Sequence, residues 1–88
     1  WIGLSVVEPG GSTALSASPL EKFYVMVEGE LEVTGVTPEG VTHRHTLGPL
    51  DSCRIAPGEA RALANRGDKP ARVLLVMAEP SGAALSRA

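Results

Sequence analysis

The stretch EKFYVMVEGEL, residues 21–31, decides the fold of this chain. Alternate side chains of a β-strand point to opposite faces, so Lys22, Tyr24 and Met26 share one face and the apolar residues between them share the other. Aromatic and β-branched residues favour a strand here. Gly29 supplies the positive φ that a tight turn needs. We therefore predict a strand, a turn at Gly29 and a second strand that returns beside the first as a hairpin.

The pattern continues in both directions from this stretch. Short apolar runs are separated by Gly, Pro, Asn and Asp at intervals typical of β-sandwiches and barrels. We predict strands at residues 2–7, 13–16, 23–27, 31–36, 41–47, 52–55, 61–65 and 72–77. No segment carries a convincing helix signal, so the predicted fold class is all-β.

The length of 88 residues predicts a single domain over residues 1–88, of which 79–88 form a small, polar C-terminal tail. The last predicted strand contains the run VLLVM, residues 73–77, which does not alternate. A strand that is apolar on both faces is normally covered on both sides. One face can line the interior of a barrel, and we expect a second copy of the chain to cover the other. The partner prediction is therefore a homodimer.

Composition excludes several classes of partner. The net charge is −2 and basic residues form no run, so nucleic acid is not an expected partner. No apolar run approaches the roughly 20 residues that span a bilayer, so we expect no membrane segment. Cys53 is the one cysteine and cannot form an internal disulfide, which favours a reducing compartment. We therefore expect a cytoplasmic location.

The segment from Gly10 to Asn65 contains the spacing of two known motifs. In the first motif, five residues separate Gly10 from Ser16-Ala17-Ser18, three residues separate Ser18 from Lys22, and six separate Lys22 from Gly29. In the second motif, two residues separate Pro57-Gly58 from Arg61, and three residues separate Arg61 from Asn65. In spacing, this segment resembles the two conserved motifs of the cupin family. The resemblance implies a small antiparallel β-barrel, or jelly roll.

The resemblance also identifies four positions of special interest. Metal-dependent cupins place His, His, Glu and His at the positions that are Ser16, Ser18, Lys22 and Arg61 in this chain. Hydroxyl groups are poor ligands and cationic groups cannot ligate a divalent metal, since a ligand must offer a lone pair. We therefore predict no metal at these positions and no cofactor.

The same positions predict a pocket with the opposite charge preference. Two cations in a poorly solvated barrel are unfavourable, because burial removes their hydration and they repel each other. An acid such as Glu28 pairing with Lys22, water in the pocket, or a bound anion could each offset this cost. In the last case Arg61 would supply a bidentate fork, and the serine hydroxyls would donate. We favour a small-molecule binding module, possibly for an anionic metabolite. Its predicted pocket residues are Ser16, Ser18, Lys22, Tyr24 and Arg61.

Other functions stay open at this point, including whether the protein is an enzyme. A metal-free isomerase or lyase could use Lys22 as a Schiff-base former or as a base beside Tyr24. The barrel could also be a purely structural dimerisation domain. A third alternative is a metalloenzyme with a displaced site at His43 and His45, whose spacing puts both imidazoles on one strand face. That site would need a third ligand, such as Cys53 or Glu30, and we expect the two histidines to lie on an exposed edge strand.

Overall fold

The computed structural model describes residues 1–77 and contains eight strands. They are β1 (Ile2–Val7), β2 (Ser16–Ala17), β3 (Lys22–Glu28), β4 (Leu31–Val36), β5 (Thr42–Leu47), β6 (Ser52–Ile55), β7 (Ala60–Ala64) and β8 (Ala71–Met77). The all-β prediction is confirmed. The second strand is shorter and later than the predicted 13–16, and the predicted tail at 79–88 lies outside the described residues. Within residues 1–77, no helix is long and apolar enough to cross a bilayer.

The strands form two four-stranded antiparallel sheets that face each other. The first sheet has the order β1-β8-β3-β6, and the second has the order β2-β7-β4-β5. Most links between consecutive strands cross from one sheet to the other, as in a jelly roll. β4 and β5 are the consecutive strands that pair directly.

The predicted hairpin between the strands on either side of Gly29 is wrong, although both strands exist. β3 pairs with β6 and β8, whereas β4 pairs with β5 and β7, so the two strands lie in different sheets. Gly29 has a φ of 81°, and a Cβ there would lie 2.7 Å from the carbonyl oxygen of Pro70. Period-two alternation identifies which face of each strand is apolar, but it does not identify the neighbouring strand. Here the two apolar faces bury each other across the sandwich.

The core lies between the sheets, and the face of β3 that carries Lys22, Tyr24 and Met26 is the inner one. Tyr24 and Met26 are buried there against Leu31, Val33 and Val73. Lys22 lies on the same face but nearer the end of the sandwich, where it is half-buried. This arrangement puts the interior-facing residues of the predicted pocket between the sheets.

The outer face of the first sheet carries a second apolar surface. Partners in an antiparallel pair share a face, and two rows of partners across β1, β8 and β3 are entirely apolar. We call this surface the outer apolar face; its six residues are Ile2, Val76, Phe23, Leu4, Leu74 and Val25. Ile2 and Leu4 are 69% and 56% exposed in the single chain. The two-sided apolar character of β8 therefore extends to both neighbouring strands.

Candidate functional site

The strand register aligns several candidate residues in one row across the second sheet. Ser16 of β2 pairs with Arg61 of β7, Arg61 pairs with Gly35 of β4, and Gly35 pairs with His43 of β5. Gly35 is buried and therefore lies on the inner face. Because paired residues share a face, Ser16, Arg61 and His43 are directed to the space between the sheets as well.

Arg61 reaches across this space to the opposite sheet. Its Nε donates a hydrogen bond of 2.8 Å to the Tyr24 hydroxyl, and its second nitrogen lies 3.3 Å from Thr13 Oγ1 and 3.4 Å from the Ala14 carbonyl oxygen. Lys22 is close enough to respond to this charge. Burial and, to a lesser extent, repulsion from the Arg61 guanidinium lower the pKa of Lys22 below its usual 10.5. Two cations and a phenol therefore meet at one end of the sandwich.

No carboxylate relieves this pair of cations within residues 1–77. The ion pairs there join Arg54 to Glu21, Arg66 to Glu32, and Arg72 to Glu28. Glu28 thus faces Arg72 at 3.6 Å rather than Lys22. The expected pairing of Lys22 with Glu28 is therefore absent, and no other carboxylate of residues 1–77 forms an ion pair with Lys22 or Arg61.

The two serines differ in their surroundings. Ser16 is exposed beside Arg61, whereas Ser18 is half-buried and its Oγ accepts a hydrogen bond of 3.1 Å from the Leu20 amide. A hydroxyl that accepts from a backbone amide can still donate its own proton. The structure thus brings Lys22, Tyr24 and Arg61 together, puts Ser16 beside them, and uses Ser18 in a local turn.

A divalent metal does not fit these four positions. Lys22 and Arg61 are both cationic, and a metal ion would add a third positive group beside them. Neither side chain offers a lone pair in its charged form. No mechanistic step can therefore be assigned to a metal held here.

An open cavity of about 240 Å³ borders this cluster, between β4, β5, β6 and the start of β7. Its lining residues are Val33, Gly35, His43, His45, Cys53, Arg54, Ile55 and Glu59. Ile55 pairs with Lys22, and Gly35 pairs with Arg61, so the cation cluster and the cavity are neighbours. β5 is an edge strand with exposed histidines, as predicted, but their side chains lie on the cavity side of the sheet.

Glu59 is the functional candidate that sequence reasoning missed. Its Oε1 accepts a hydrogen bond of 2.9 Å from the Ala56 amide, within the turn that precedes β7. Its Oε2 would lie 2.9 Å from a Cβ at Gly35, so the carboxylate occupies the space that a side chain there would need. A usable signal was present in the sequence, because Glu59 precedes Arg61 by one strand period.

The thiol of Cys53 is held in its neutral form beside this carboxylate. Burial, and then repulsion from Glu59, raise the pKa of Cys53 above 9.0, against a smaller opposing effect of a hydrogen bond from the Tyr24 backbone. A raised pKa lowers the thiolate fraction and with it the reactivity of the thiol. Cys53 is therefore part of the cavity wall rather than a nucleophile.

This geometry gives little support to the displaced metal site at His43 and His45. Cys53 does line the same cavity as both histidines, but Glu30 lines a different one, with Glu32 and Arg66. Across residues 1–77, no group of three or more His, Cys, Asp and Glu side chains is arranged to hold a metal ion. The cavity is better described as a polar pocket with an aliphatic floor.

Two comparisons of sequence identify relatives of this chain. The family model described as "Cupin domain" matches residues 3–77. The chain is also 42% identical over 80 residues to a protein of Mycobacterium tuberculosis named beta-D-galactosidase. That alignment covers 91% of this chain and 65% of the relative, so the chain spans just under two thirds of the relative's length.

Solved structures with the same fold have diverse functions. The CENP-C cupin domain of Drosophila melanogaster matches with a TM-score of 0.83 and 16% identity, over 88% of this chain and 56% of the other. An oxalate oxidase matches with a TM-score of 0.84 and 16% identity, over 90% of this chain and 41% of the other. At such low identity the similarity shows the shared fold alone.

Proposed function

This chain belongs to the cupin family, and we propose that it is a small-molecule binding module for anions, with Ser16, Ser18, Lys22 and Arg61 at the positions where the family motifs place metal ligands. The observation that carries the proposal is the pair of cations Lys22 and Arg61, which no carboxylate within residues 1–77 neutralises. A carboxylate or phosphate group of a metabolite would supply the missing negative charge. Residues 1–88 form one such domain in this proposal.

The geometry around Arg61 supports recognition of an oxyanion. Nε donates to the Tyr24 hydroxyl and Nη1 to Thr13 Oγ1 and the Ala14 carbonyl oxygen, whereas Nη2 has no hydrogen bond within residues 1–77 and can donate to an incoming anion. Tyr24 accepts from Arg61 and keeps its own proton to donate. The Ser16 and Ser18 hydroxyls complete a set of neutral donors around the two cations.

Arg61→Ala is expected to weaken binding of inorganic phosphate or small carboxylates at least about tenfold, since hydrogen bonds to charged groups contribute roughly 1.5–3 kcal/mol. Thermal shift and calorimetric titration measure this loss. Arg44→Ala is the matched control, because Arg44 is exposed on β5 and distant from Lys22 in the register. If no anion stabilises the protein, or if binding survives Arg61→Ala, the anion site is refuted. The alternative of a purely structural dimerisation domain then remains.

The same site should show a pH dependence. Lys22 has a lowered pKa in the folded chain, so it loses its proton at a lower pH than an ordinary lysine. Anion binding is therefore expected to weaken at alkaline pH, starting below 10.5, and this part of the pH profile should vanish in Lys22→Met. An unchanged profile in Lys22→Met would exclude Lys22 from the site.

The homodimer is the second part of the proposal, with the outer apolar face as its interface. The rim of this face supports the idea, because Arg54 and Arg72 are each paired with a glutamate of the same chain. A second copy could then dock without burying an unpaired charge at the centre. A cytoplasmic location also stays part of the proposal, on the ground that Cys53 cannot form an internal disulfide.

The relative's name favours a second candidate function, the hydrolysis of a β-D-galactoside. Glu59 is the carboxylate that lines the cavity within residues 1–77 and would act as the general acid. Most glycosidases use two carboxylates, which is why this candidate ranks below anion binding. The test is release of D-galactose from methyl β-D-galactoside, whose alkoxide leaving group needs the proton of a general acid. Activity that is lost in Glu59→Gln would establish the enzyme, whereas no turnover, or turnover unaffected by Glu59→Gln, would dismiss it.

A further inference from the structure

We infer that the cavity beside the cation cluster is a separate binding site for a small, neutral, polyhydroxylated molecule, recognised by Glu59, His43 and His45. This site is distinct from the proposed anion site, since its carboxylate would repel an anion. The inference therefore does not depend on the Lys22 and Arg61 proposal.

The first support is the way Gly35 and Glu59 fit together. Gly35 is buried within β4, one residue before the strand ends, and glycine weakens a strand relative to other residues. Its φ is not among the positive values in this chain, so the backbone does not require glycine there. A Cβ would instead collide with Glu59 Oε2 at 2.9 Å. The glycine thus makes room for a carboxylate in the cavity.

The second support is that this carboxylate is held in place with one oxygen available. Oε1 is occupied by the Ala56 amide at 2.9 Å, and the Glu59 amide in turn donates to the Ala56 carbonyl oxygen at 3.0 Å. Within residues 1–77, Oε2 receives no hydrogen bond. No side-chain nitrogen or oxygen of these residues is both fully buried and without a hydrogen bond, so Oε2 is accessible, and we place it at the cavity that Glu59 lines. A fixed acceptor needs little reorganisation when a hydroxyl donates to it.

The third support is the chemistry of the remaining wall. His43 and His45 face the same space, and a neutral imidazole offers one donor and one acceptor. A mixed set of donors and acceptors complements hydroxyl groups, which both donate and accept. Val33 and Ile55 add an aliphatic floor against which the C–H face of a ring can pack. The Arg54 guanidinium is engaged by Glu21 and adds no free charge.

The size and composition of the cavity narrow the ligand further. Its volume of about 240 Å³ is below the roughly 300–1,000 Å³ of pockets for drug-sized ligands, so a single ring is the upper limit. No Phe, Tyr or Trp is among the lining residues, which disfavours an organic cation held by cation–π contacts. A neutral molecule of hexose or cyclitol size fits these limits.

The test is an NMR titration of the chain with D-glucose, D-galactose and myo-inositol, each compared with sodium acetate and ethylammonium chloride. Saturable shifts of the Gly35 and Glu59 amides and of both imidazoles with at least one polyol are expected. Glu59→Gln preserves shape but replaces the free acceptor, and should weaken binding by roughly tenfold or more. Glu39→Gln, in the exposed turn between β4 and β5, is the matched control and should change nothing.

Gly35→Ala is the second variant, and should weaken polyol binding by displacing the carboxylate. If it fails to fold, Glu59→Gln still decides the question. Absence of saturable shifts with every polyol, equal binding in Glu59→Gln, or shifts at these residues with acetate or ethylammonium alone would overturn the inference. Polyol binding that persists in Arg61→Ala would support this site even if the anion proposal fails. Polyol binding without galactoside hydrolysis would support this site even if the enzyme proposal fails.

Discussion

A Leu4→Glu variant is expected to be a monomer at concentrations where the unaltered chain is a dimer. Leu4 is 56% exposed in the single chain, so a glutamate is tolerated there as long as the chain is alone. In a two-fold dimer the same substitution buries an unpaired charge in each copy, which costs several kcal/mol. Since each 1.4 kcal/mol is a factor of ten, the dimer should weaken by at least about 100-fold. Sedimentation velocity over a concentration series measures this change.

The matched control for this experiment is Leu50→Glu. Leu50 is 86% exposed, more than Leu4, but it lies in the link between β5 and β6 and outside the outer apolar face. It should leave the dimer intact. A Leu4→Glu chain that remains dimeric, or an unaltered chain that is monomeric at every concentration, would show that this face is not an interface between copies.

Asn65→Ala is expected to reduce the free energy of unfolding by roughly 2–4 kcal/mol, because it removes three part-buried hydrogen bonds to backbone groups. Asn65 is 2% exposed. Its Nδ2 donates to the carbonyl oxygens of Val7 and Lys69 at 2.8 and 2.7 Å, and its Oδ1 accepts from the Gly67 amide at 2.9 Å. One side chain thereby ties the end of β1 to the turn that follows β7.

Urea denaturation at fixed protein concentration measures the loss from the midpoint, provided that the slope is unchanged. Asn65→Asp keeps the acceptor for Gly67 but loses both donors, so it should also be strongly destabilised. Thr46→Ala, at an exposed position of β5, is the control and should stay within about 0.5 kcal/mol of the unaltered chain. A similarly small change for Asn65→Ala would mean that water replaces the three hydrogen bonds.

The candidate site was partly predictable because its residues obey local rules. Strand alternation put Lys22 and Tyr24 on one face of the strand, and the spacing of the cupin motifs put Arg61 in the same frame. The hydrogen bond from Arg61 to the Tyr24 hydroxyl joins strands of opposite sheets, so no local pattern could predict it. The spacing of Glu59 from Arg61 was a local signal that was overlooked, but the relation of Glu59 to Gly35 depends on the pairing of β7 with β4.

The prediction for the two histidines was likewise limited to local information. Polar neighbours predicted an exposed edge strand, and β5 is one. Exposure did not reveal that His43 and His45 pair with Gly35 and Val33, whose inner face borders the cavity. An edge strand of an open barrel can be exposed to solvent and still present one face to the interior.

By itself, the sequence determined the all-β class, the positions of most strands and which side chains of β3 share a face, because alternation and turn chemistry act over a few residues. Only the tertiary structure decided that β3 and β4 lie in different sheets, that Arg61 meets Tyr24, and that Glu59 occupies the space above Gly35. Those relations depend on register and on packing between strands distant in sequence. The apolar face that β8 shares with β1 and β3 likewise exists only once those strands are paired.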